Sequence, residues 1–331
     1  MKQLASNWYR RSKWLWLLLP LSALFYVLVI LRRIAYRRRV FTATHFKPIV
    51  IVVGNITVGG TGKTPLVISL VSLLQSRGLR VGIVSRGYGG KASEWPQFVN
   101  SSSSPASVGD EAVMLAVKTG CPVVVAPDRV AAVRMLLNKE DIDCVISDDG
   151  LQHYALGRQI EVVLFDGTRG VGNGFLLPAG PLREPLTRIR EADFILANGA
   201  SLPWSDYVVQ ARLGTVVNAA TGEVRQLDSF KNEAVFAVAG IGNPGRFFAL
   251  LSEHSISIRR MPFPDHHPFC SEDFNFLKSS STVMLTEKDA VKCCHFMDER
   301  FWIVKIEMHL PDNFSQSFLA KVNFLLDKIG T

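Results

Sequence analysis

A β-branched run at residues 49–53 leads into Gly54-Asn55-Ile56-Thr57-Val58-Gly59-Gly60-Thr61-Gly62-Lys63-Thr64-Pro65, and a helical pattern follows to a C-cap glycine at Gly78. Strand, glycine-rich loop and helix in that order leave few architectures open. Glycines let successive backbone N–H groups turn inward as a nest for phosphate oxygens, at the positive end of the helix. Residues Thr57, Val58, Gly59, Gly60, Thr61, Gly62, Lys63 and Thr64 are therefore expected to cradle a nucleotide. Lys63 would reach the β/γ phosphates and the Thr64 hydroxyl would ligate Mg²⁺. One departure stands out: Thr57 occupies the position where G-x-x-x-x-G-K-[ST] has its first glycine.

Downstream, short β-branched runs alternate with helical stretches, the signature of βαβ units around a mostly parallel sheet. Strands are predicted at 49–53, 80–85, 122–126, 144–147, 161–165 and 194–197, with helices at 65–76 and 129–138. Residues 213–228 read as two strands about a glycine-containing turn. Beyond them lie strand 234–239, helix 244–253, strands 282–285 and 301–306, and a terminal helix at 313–329. The fold class expected is α/β: a P-loop NTPase-like, mostly parallel sheet flanked by helices, a second smaller α/β domain and an N-terminal membrane-anchoring helix. The predicted boundaries are 1–47 for the anchor, 48–212 for the P-loop domain, 213–230 for the linker and 231–331 for the smaller domain.

The net charge of +8 suggests nucleic acid until it is located along the chain. Residues 1–47 hold ten Lys/Arg, among them Lys2 and Arg11, and no acid, which leaves 27 basic and 29 acidic residues in the remainder. The basic excess belongs to the N-terminus, so no nucleic-acid partner is expected. Residues 14–31 are uncharged, about 27 Å as a helix, against a hydrocarbon core of about 30 Å. Basic clusters flank both ends, and a span would translocate one of them against the positive-inside tendency. A hairpin-like or oblique anchor on an anionic cytoplasmic leaflet suits the charges better than a single span. A cleaved signal peptide fits poorly, because arginines fill residues 32–39 where small residues would stand. Five cysteines (Cys121, Cys144, Cys270, Cys293, Cys294) without a C-x-x-C pair favour a reducing compartment over a disulfide framework.

A P-loop needs a metal-side carboxylate at the end of a neighbouring strand, and Asp148-Asp149-Gly150 after 144–147 offers two. Phosphoryl transfer to an alcohol needs a positioned base as well. Gly109-Asp110-Glu111 at a helix start and Pro264-Asp265-His266-His267-Pro268 supply a carboxylate and two imidazoles; a plain N-cap is the competing duty for Asp110. Arg129, Arg183 and Glu184 fall at strand ends or helix starts, where substrate or phosphate would be met. Residues 138–141 match N-K-x-D, which reads guanine, but they follow a helical stretch and precede Asp148, so adenine is expected instead. Gly240 to Gly245 match G-x-G-x-x-G without the acidic residue that completes a dinucleotide site, which favours tight packing. Thr286-Glu287-Lys288-Asp289 reads as a capping box. Zinc on Cys270, Cys293, Cys294 and His295 lacks ligand spacing.

This ordered set, with Ser85-Arg86-Gly87-Tyr88-Gly89, Pro127-Asp128-Arg129, Asp148-Asp149-Gly150-Leu151-Gln152-His153, Pro178-Ala179-Gly180-Pro181-Leu182-Arg183-Glu184-Pro185 and Leu285-Thr286-Glu287-Lys288-Asp289-Ala290, resembles the tetraacyldisaccharide 4'-kinase family, the lipid A 4'-kinases of Gram-negative bacteria. The resemblance runs from about Trp14 to Lys292. It implies an inner-membrane enzyme facing the cytoplasm that moves the ATP γ-phosphate to the 4'-hydroxyl of tetraacyldisaccharide 1-phosphate. It also implies Lys63 and Thr64 on phosphates and Mg²⁺, Asp148 and Asp149 on the metal side with Glu184 beside them, and Asp110 as base assisted by His266. Between His266 and His267 the choice rests on register alone, so His267 stays a substrate candidate with Arg129 and Arg183. The competing class is a membrane-associated P-loop ATPase switch of the partitioning or targeting type. Those proteins carry a signature lysine before the paired glycines, where this chain has Val58.

Overall fold

The computed structural model describes residues 7–10, 12–231, 233–293 and 295–330; Lys2, Arg11 and Cys294 lie outside the described residues. Its longer helices are α1 (Leu19–Arg37), α2 (Lys63–Gln75), α3 (Asp110–Thr119), α4 (Arg129–Lys139), α5 (Pro244–Glu253), α6 (Glu287–Cys293) and α7 (Asp312–Gly330). The first seven strands are β1 (Ile49–Gly54), β2 (Val81–Ser85), β3 (Gln97–Val99), β4 (Val123–Val125), β5 (Cys144–Asp148), β6 (Ile160–Asp166) and β7 (Phe194–Asn198). Six more follow: β8 (Tyr207–Asn218), β9 (Val224–Arg225), β10 (Ala234–Ala239), β11 (Ser257–Pro262), β12 (Thr282–Thr286) and β13 (Phe301–His309).

Every residue of β1 is buried, which a strand reaches only when both faces of the sheet are covered. The period-two alternation then divides it. Ile49, Ile51 and Val53 pack with Leu66, Leu70 and Leu74 of α2, while Val50 and Val52 meet Val133 and Leu136 of α4. Strands β5 and β6 flank β1 in parallel, so the carboxyl ends of the three strands meet at one edge. In open parallel sheets, that edge is where ligands bind.

The strand order is β11-β10-β12-β13-β8-β7-β6-β1-β5-β2-β4-β3, with β9 on β8. Strand β8 makes this one sheet. Its first residues, Tyr207 to Val209, pair in parallel with β7, and its later residues pair antiparallel with β13. The expected hairpin is present, since Val216 and Val217 oppose Arg225 and Val224, but its first strand starts at Tyr207 rather than 213. Strands β3 and β11 were not predicted. Strand β11 is an edge strand carrying Arg259, Arg260 and Pro262, and such residues protect an edge while erasing the hydrophobic alternation that marks a strand.

Helix α1 and the preceding turn (Lys13–Leu18) form a 25-residue segment whose most apolar 18-residue stretch has a mean hydropathy of 2.4, long enough to cross a membrane. One stripe is exposed: Leu17, Leu21, Leu24, Leu28 and Leu31, spaced four and three apart. The other stripe lies along the body. Ser22 Oγ donates to the Leu176 carbonyl at 2.8 Å, and Arg33 and Arg37 pair with Glu191 at 2.7 and 2.9 Å.

Candidate active site

The glycine-rich loop is held from two sides. Val58 N–H donates to the Pro181 carbonyl at 2.8 Å and Arg183 N–H to the Ile56 carbonyl at 2.7 Å, so Thr57 bridges Leu182 in extended pairing. That pairing explains the departure noted at Thr57: an extended residue there needs no glycine. Glycine is required at Gly62, whose φ is +96° and whose Cβ would sit 2.5 Å from Asn198 Nδ2. The same Nδ2 donates to the Thr61 carbonyl at 2.9 Å, tying the loop to the end of β7. Lys63 opens α2 and reaches Asp149, Nζ to Oδ1 at 3.3 Å.

Asp148 and Asp149, at the end of β5, occupy unlike environments. Asp149 stands at φ +49°, a backbone state that only four described non-glycine residues adopt, and residues held there cluster at functional sites. Burial would raise its pKa, but Lys63 and Arg183 hold it below the usual carboxylate range. Asp148 is buried, its Oδ1 has no hydrogen-bond partner, and burial and the charge of Glu111 push its pKa up. An unsatisfied buried carboxylate oxygen on a residue that lines the same cavity as Thr64 suits a hard cation. Glu184 also reaches the cavity wall, where its carboxylate accepts from Gln152 Nε2 at 2.9 Å and from the Tyr154 hydroxyl. Protein donors thus already occupy both of its oxygens.

Across the cavity, Asp110 begins α3 and Gly109 is the N-cap, which removes the plain capping duty from Asp110. Its carboxylate receives His266 Nδ1, 3.0 Å away, although the two residues are 156 positions apart. Burial would raise the Asp110 pKa; the His266 hydrogen bond, with Lys288 and Lys292, carries it below the ordinary value. His266 moves the other way: its bond to Asp110 raises the imidazole above its usual value despite partial burial. Its Nε2 faces Asp265 Oδ1 at 3.7 Å, and the Tyr88 ring lies 5.2 Å from the imidazole. Lys288 bridges the pair's surroundings, with Nζ 2.9 Å from Glu111 and 3.5 Å from Asp265.

One cavity of about 700 Å³ joins these groups. The loop, Asp148, Asp149, Arg183 and Glu184 line one side, and Tyr88, Asp265, His266 and Lys288 another. Phe25, Val29 and Arg32 of α1 contribute a third, partly apolar wall. Thr57 and Asp110 stand just behind the lining, Asp110 reaching it through His266, and two further expected site residues lie elsewhere. Arg129 is buried behind the carboxylates, its Nη1 donating to the Ala126 and Pro127 carbonyls, and it is absent from the lining. His267 turns away as well: its Nε2 meets Asp273 Oδ2 at 2.9 Å, and its ring packs against Phe263 and Phe269. Among the described residues no group of three or more His, Cys, Asp or Glu could hold a metal, and Cys294 of the zinc reading lies outside them. Asp141 of the N-K-x-D match pairs with Arg80 on the surface. Thr286 and Asp289 form the expected cap, and Asp289 additionally accepts Gly240 N–H at 2.9 Å. The sequence reading passed over Asn198, Arg246 and the cavity face of α1, which no local motif marks. Lys288 was hidden inside a cap.

A phosphate cradle facing a carboxylate–imidazole pair across one cavity defines a P-loop phosphotransferase. The family model described as tetraacyldisaccharide-1-P 4'-kinase matches residues 14–323, and the chain belongs to that family. The tetraacyldisaccharide 4'-kinase of Nitrosococcus oceani is 48% identical over 314 residues, 95% of this chain and 92% of that protein. That of Methylobacillus flagellatus is 44% identical over 327 residues, 98% and 97% of the two chains. Among solved structures, the "apo" form LpxK from Aquifex aeolicus in complex with ATP superposes with a TM-score of 0.77 at 28% identity, covering 93% of this chain and 98% of that one.

Proposed function

We propose that this chain transfers the γ-phosphate of ATP to the 4'-hydroxyl of tetraacyldisaccharide 1-phosphate, at the cytoplasmic face of a bacterial inner membrane. The observation that carries the reading is the shared cavity: Lys63, His266 and Phe25 of the apolar helix all line it. Lys63 neutralises charge on the β/γ phosphates while the loop N–H groups hold them. Thr64 and Asp148, with Asp149 next in the chain, would hold Mg²⁺, which would supply further charge neutralisation.

Charge decides how Asp110 and His266 divide the proton. The sequence reading made the carboxylate the base and the imidazole its helper. The bond between them holds the carboxylate below its ordinary value and raises the imidazole, which makes the imidazole the stronger acceptor, and His266 rather than Asp110 lines the cavity. His266 Nε2 therefore accepts the 4'-hydroxyl proton, and Asp110 fixes the ring through Nδ1. An alcohol with a pKa far above 7 loses its proton late, so most of the rate comes from in-line positioning and Lys63.

The acceptor's acyl chains would cost about 0.8 kcal/mol per CH₂ to withdraw from lipid. The exposed Leu17–Leu31 stripe brings the cavity to the membrane instead, with α1 lying in the leaflet plane along the body. Incubation with γ-labelled ATP and the acylated disaccharide in detergent tests the reading. A new lipid phosphomonoester is expected, and ATP hydrolysis indifferent to the lipid would favour the ATPase switch.

A further inference from the structure

Arg246 belongs to the half of the sheet that does not carry the loop, yet it lines the cavity beside it. It sits in the first turn of α5, after Gly240-Ile241-Gly242-Asn243, a segment that packing alone only partly explains. Gly240 is packed, since a Cβ there would lie 3.2 Å from Phe269 and from Asp289. Gly242 lies between Asp265 and the loop: a Cβ on it would lie 3.3 Å from Asp265 Oδ2 and 3.7 Å from Gly60 N. The two glycine-rich segments thus approach each other closely, and Arg246 follows directly.

Its guanidinium has a defined seat. Nη2 donates to Asn198 Oδ1 at 2.6 Å, and the same Asn198 amide holds the Thr61 carbonyl at 2.9 Å. The Asp166 carboxylate lies 4.0 Å from Nη1, but it is already committed to Arg169 at 2.9 Å and caps Thr168 N–H and Arg169 N–H. Arg169 in turn donates to the Gly60 carbonyl. Both arginines thus lie on one carboxylate, Arg169 bonding the loop directly at Gly60 and Arg246 reaching Thr61 only through Asn198. Only Arg246 opens onto the cavity. A guanidinium with spare donors, lining the same cavity as the phosphate cradle from the other half of the sheet, matches the requirement for charge neutralisation in phosphoryl transfer.

We propose that Arg246 binds the terminal phosphates of the nucleoside triphosphate on the loop, as a cation delivered in cis by the second half of the molecule. The proposal rests on the nucleotide reading above. Through Asn198 it couples the seating of the two halves to the presence of the last phosphate. The acceptor's anomeric phosphate offers the same chemistry, and the relay from Arg246 to Asn198 at 2.6 Å and from Asn198 to the Thr61 carbonyl of the loop at 2.9 Å favours the nucleotide.

The test is equilibrium binding of ATP and ADP with Mg²⁺ to the full chain in detergent, without lipid, for wild type, Arg246→Gln, Arg246→Lys and Arg246→Ala. In Arg246→Gln and Arg246→Ala, ATP affinity falls roughly 10- to 100-fold, the value of one or two charge-assisted hydrogen bonds, and ADP affinity falls less. Arg246→Lys keeps part of the ATP preference, and turnover in Arg246→Ala drops about 10²-fold. Unchanged ATP affinity in a variant that melts like wild type overturns the proposal. So does intact ATP binding with a raised KM for the lipid, which would assign Arg246 to the acceptor. Should Arg246→Ala fail to fold, Arg246→Gln and Arg246→Lys decide by the same criteria. A wild type that binds no nucleoside triphosphate sinks the kinase reading itself.

Discussion

At the cradle end of the cavity, residues 57–64 follow one another in the chain, while the acid–base end joins Asp110 to His266 across 156 positions. The cradle is fixed by backbone: extended pairing of Thr57 with Leu182, a left-handed Gly62, and the Asn198 amide on the Thr61 carbonyl. The acid–base end is fixed by charge. Lys288 and Lys292 from α6 meet Glu111 and Asp110 of α3, and Lys118 meets Glu287 at 2.5 Å, so the two helices are joined by opposite charges. A backbone cradle tolerates side-chain change that an ion-paired junction does not. The difference lies between interactions set by local conformation and interactions that exist only once both halves are seated.

The comparison breaks first at Lys63, the one cradle residue whose side chain carries charge to the phosphates. Lys63→Ala should lower phosphoryl transfer by at least about 10³-fold with little change in thermal stability, and Thr64→Ala should raise the Mg²⁺ concentration needed for half-maximal rate. Undiminished transfer in Lys63→Ala would remove the cradle from the mechanism.

The acid–base end should fail differently. Asp110→Asn and His266→Ala each lower kcat on the order of 10²-fold, with KM for ATP nearly unchanged and the double variant scarcely worse than the poorer single. The wild-type rate should fall as pH drops through the raised imidazole pKa, and Asp110→Asn should move that limb to lower pH because it removes the cause of the raise. Stability has its own sign. A raised His pKa contributes fully below the unfolded value of about 6.5 and is lost as pH climbs through the folded value. Asp110→Asn should therefore cost more stability at pH 6 than at pH 9. Additive kcat losses in the double variant would mean that the two residues act apart.

How much of this was legible follows the same division. The loop, the β5 carboxylates and the buried strands are local patterns, and the residues named there fall where the pattern put them. Strand β10 and helix α5 begin and end at the residues expected, because an apolar run and an Asn-Pro start are both sequence-near. The His266–Asp110 contact was not readable from spacing, since it depends on β8 closing the sheet and on a left-handed His266 backbone. Arg129 stands at the helix start expected, but its burial was not legible: a helix-start arginine looks solvated until its neighbours bury it under the strand ends. Arg246 and Asn198 carried no signal, because a lone Arg or Asn acquires a role only from what the sheet brings beside it.

Deleting residues 1–45 tests whether the cavity is complete without its third wall. The variant loses Phe25, Val29 and Arg32 from the lining and the pairing of Glu191 with Arg33 and Arg37. Lipid phosphorylation on vesicles should fall about 10-fold or more, by the loss of buried apolar area and of basic attraction to anionic lipid. ATP binding at the cradle should change little. Full pelleting with vesicles at wild-type specific activity would show that α1 neither docks nor shapes the site.

The smallest effect expected separates two adjacent imidazoles. His267 is held by Asp273 at 2.9 Å and packed against Phe263 and Phe269, so it stabilises a loop, while His266 alone opens onto the cavity. His267→Ala deletes one partly buried hydrogen bond to a carboxylate and two ring contacts, worth about 1–3 kcal/mol. It should lower the melting temperature by a few degrees, as that free energy implies for a chain of this size. It should leave kcat within about 2-fold, since the His267 side chain is engaged by Asp273, Phe263 and Phe269 and does not line the cavity. His267→Phe, which refills the aromatic space, should recover part of the stability without altering kcat, and the pH limb assigned to His266 should stay in place in both variants. A loss of kcat in His267→Phe comparable to that in His266→Ala would move the proton to the second imidazole and make the Asp110 contact structural.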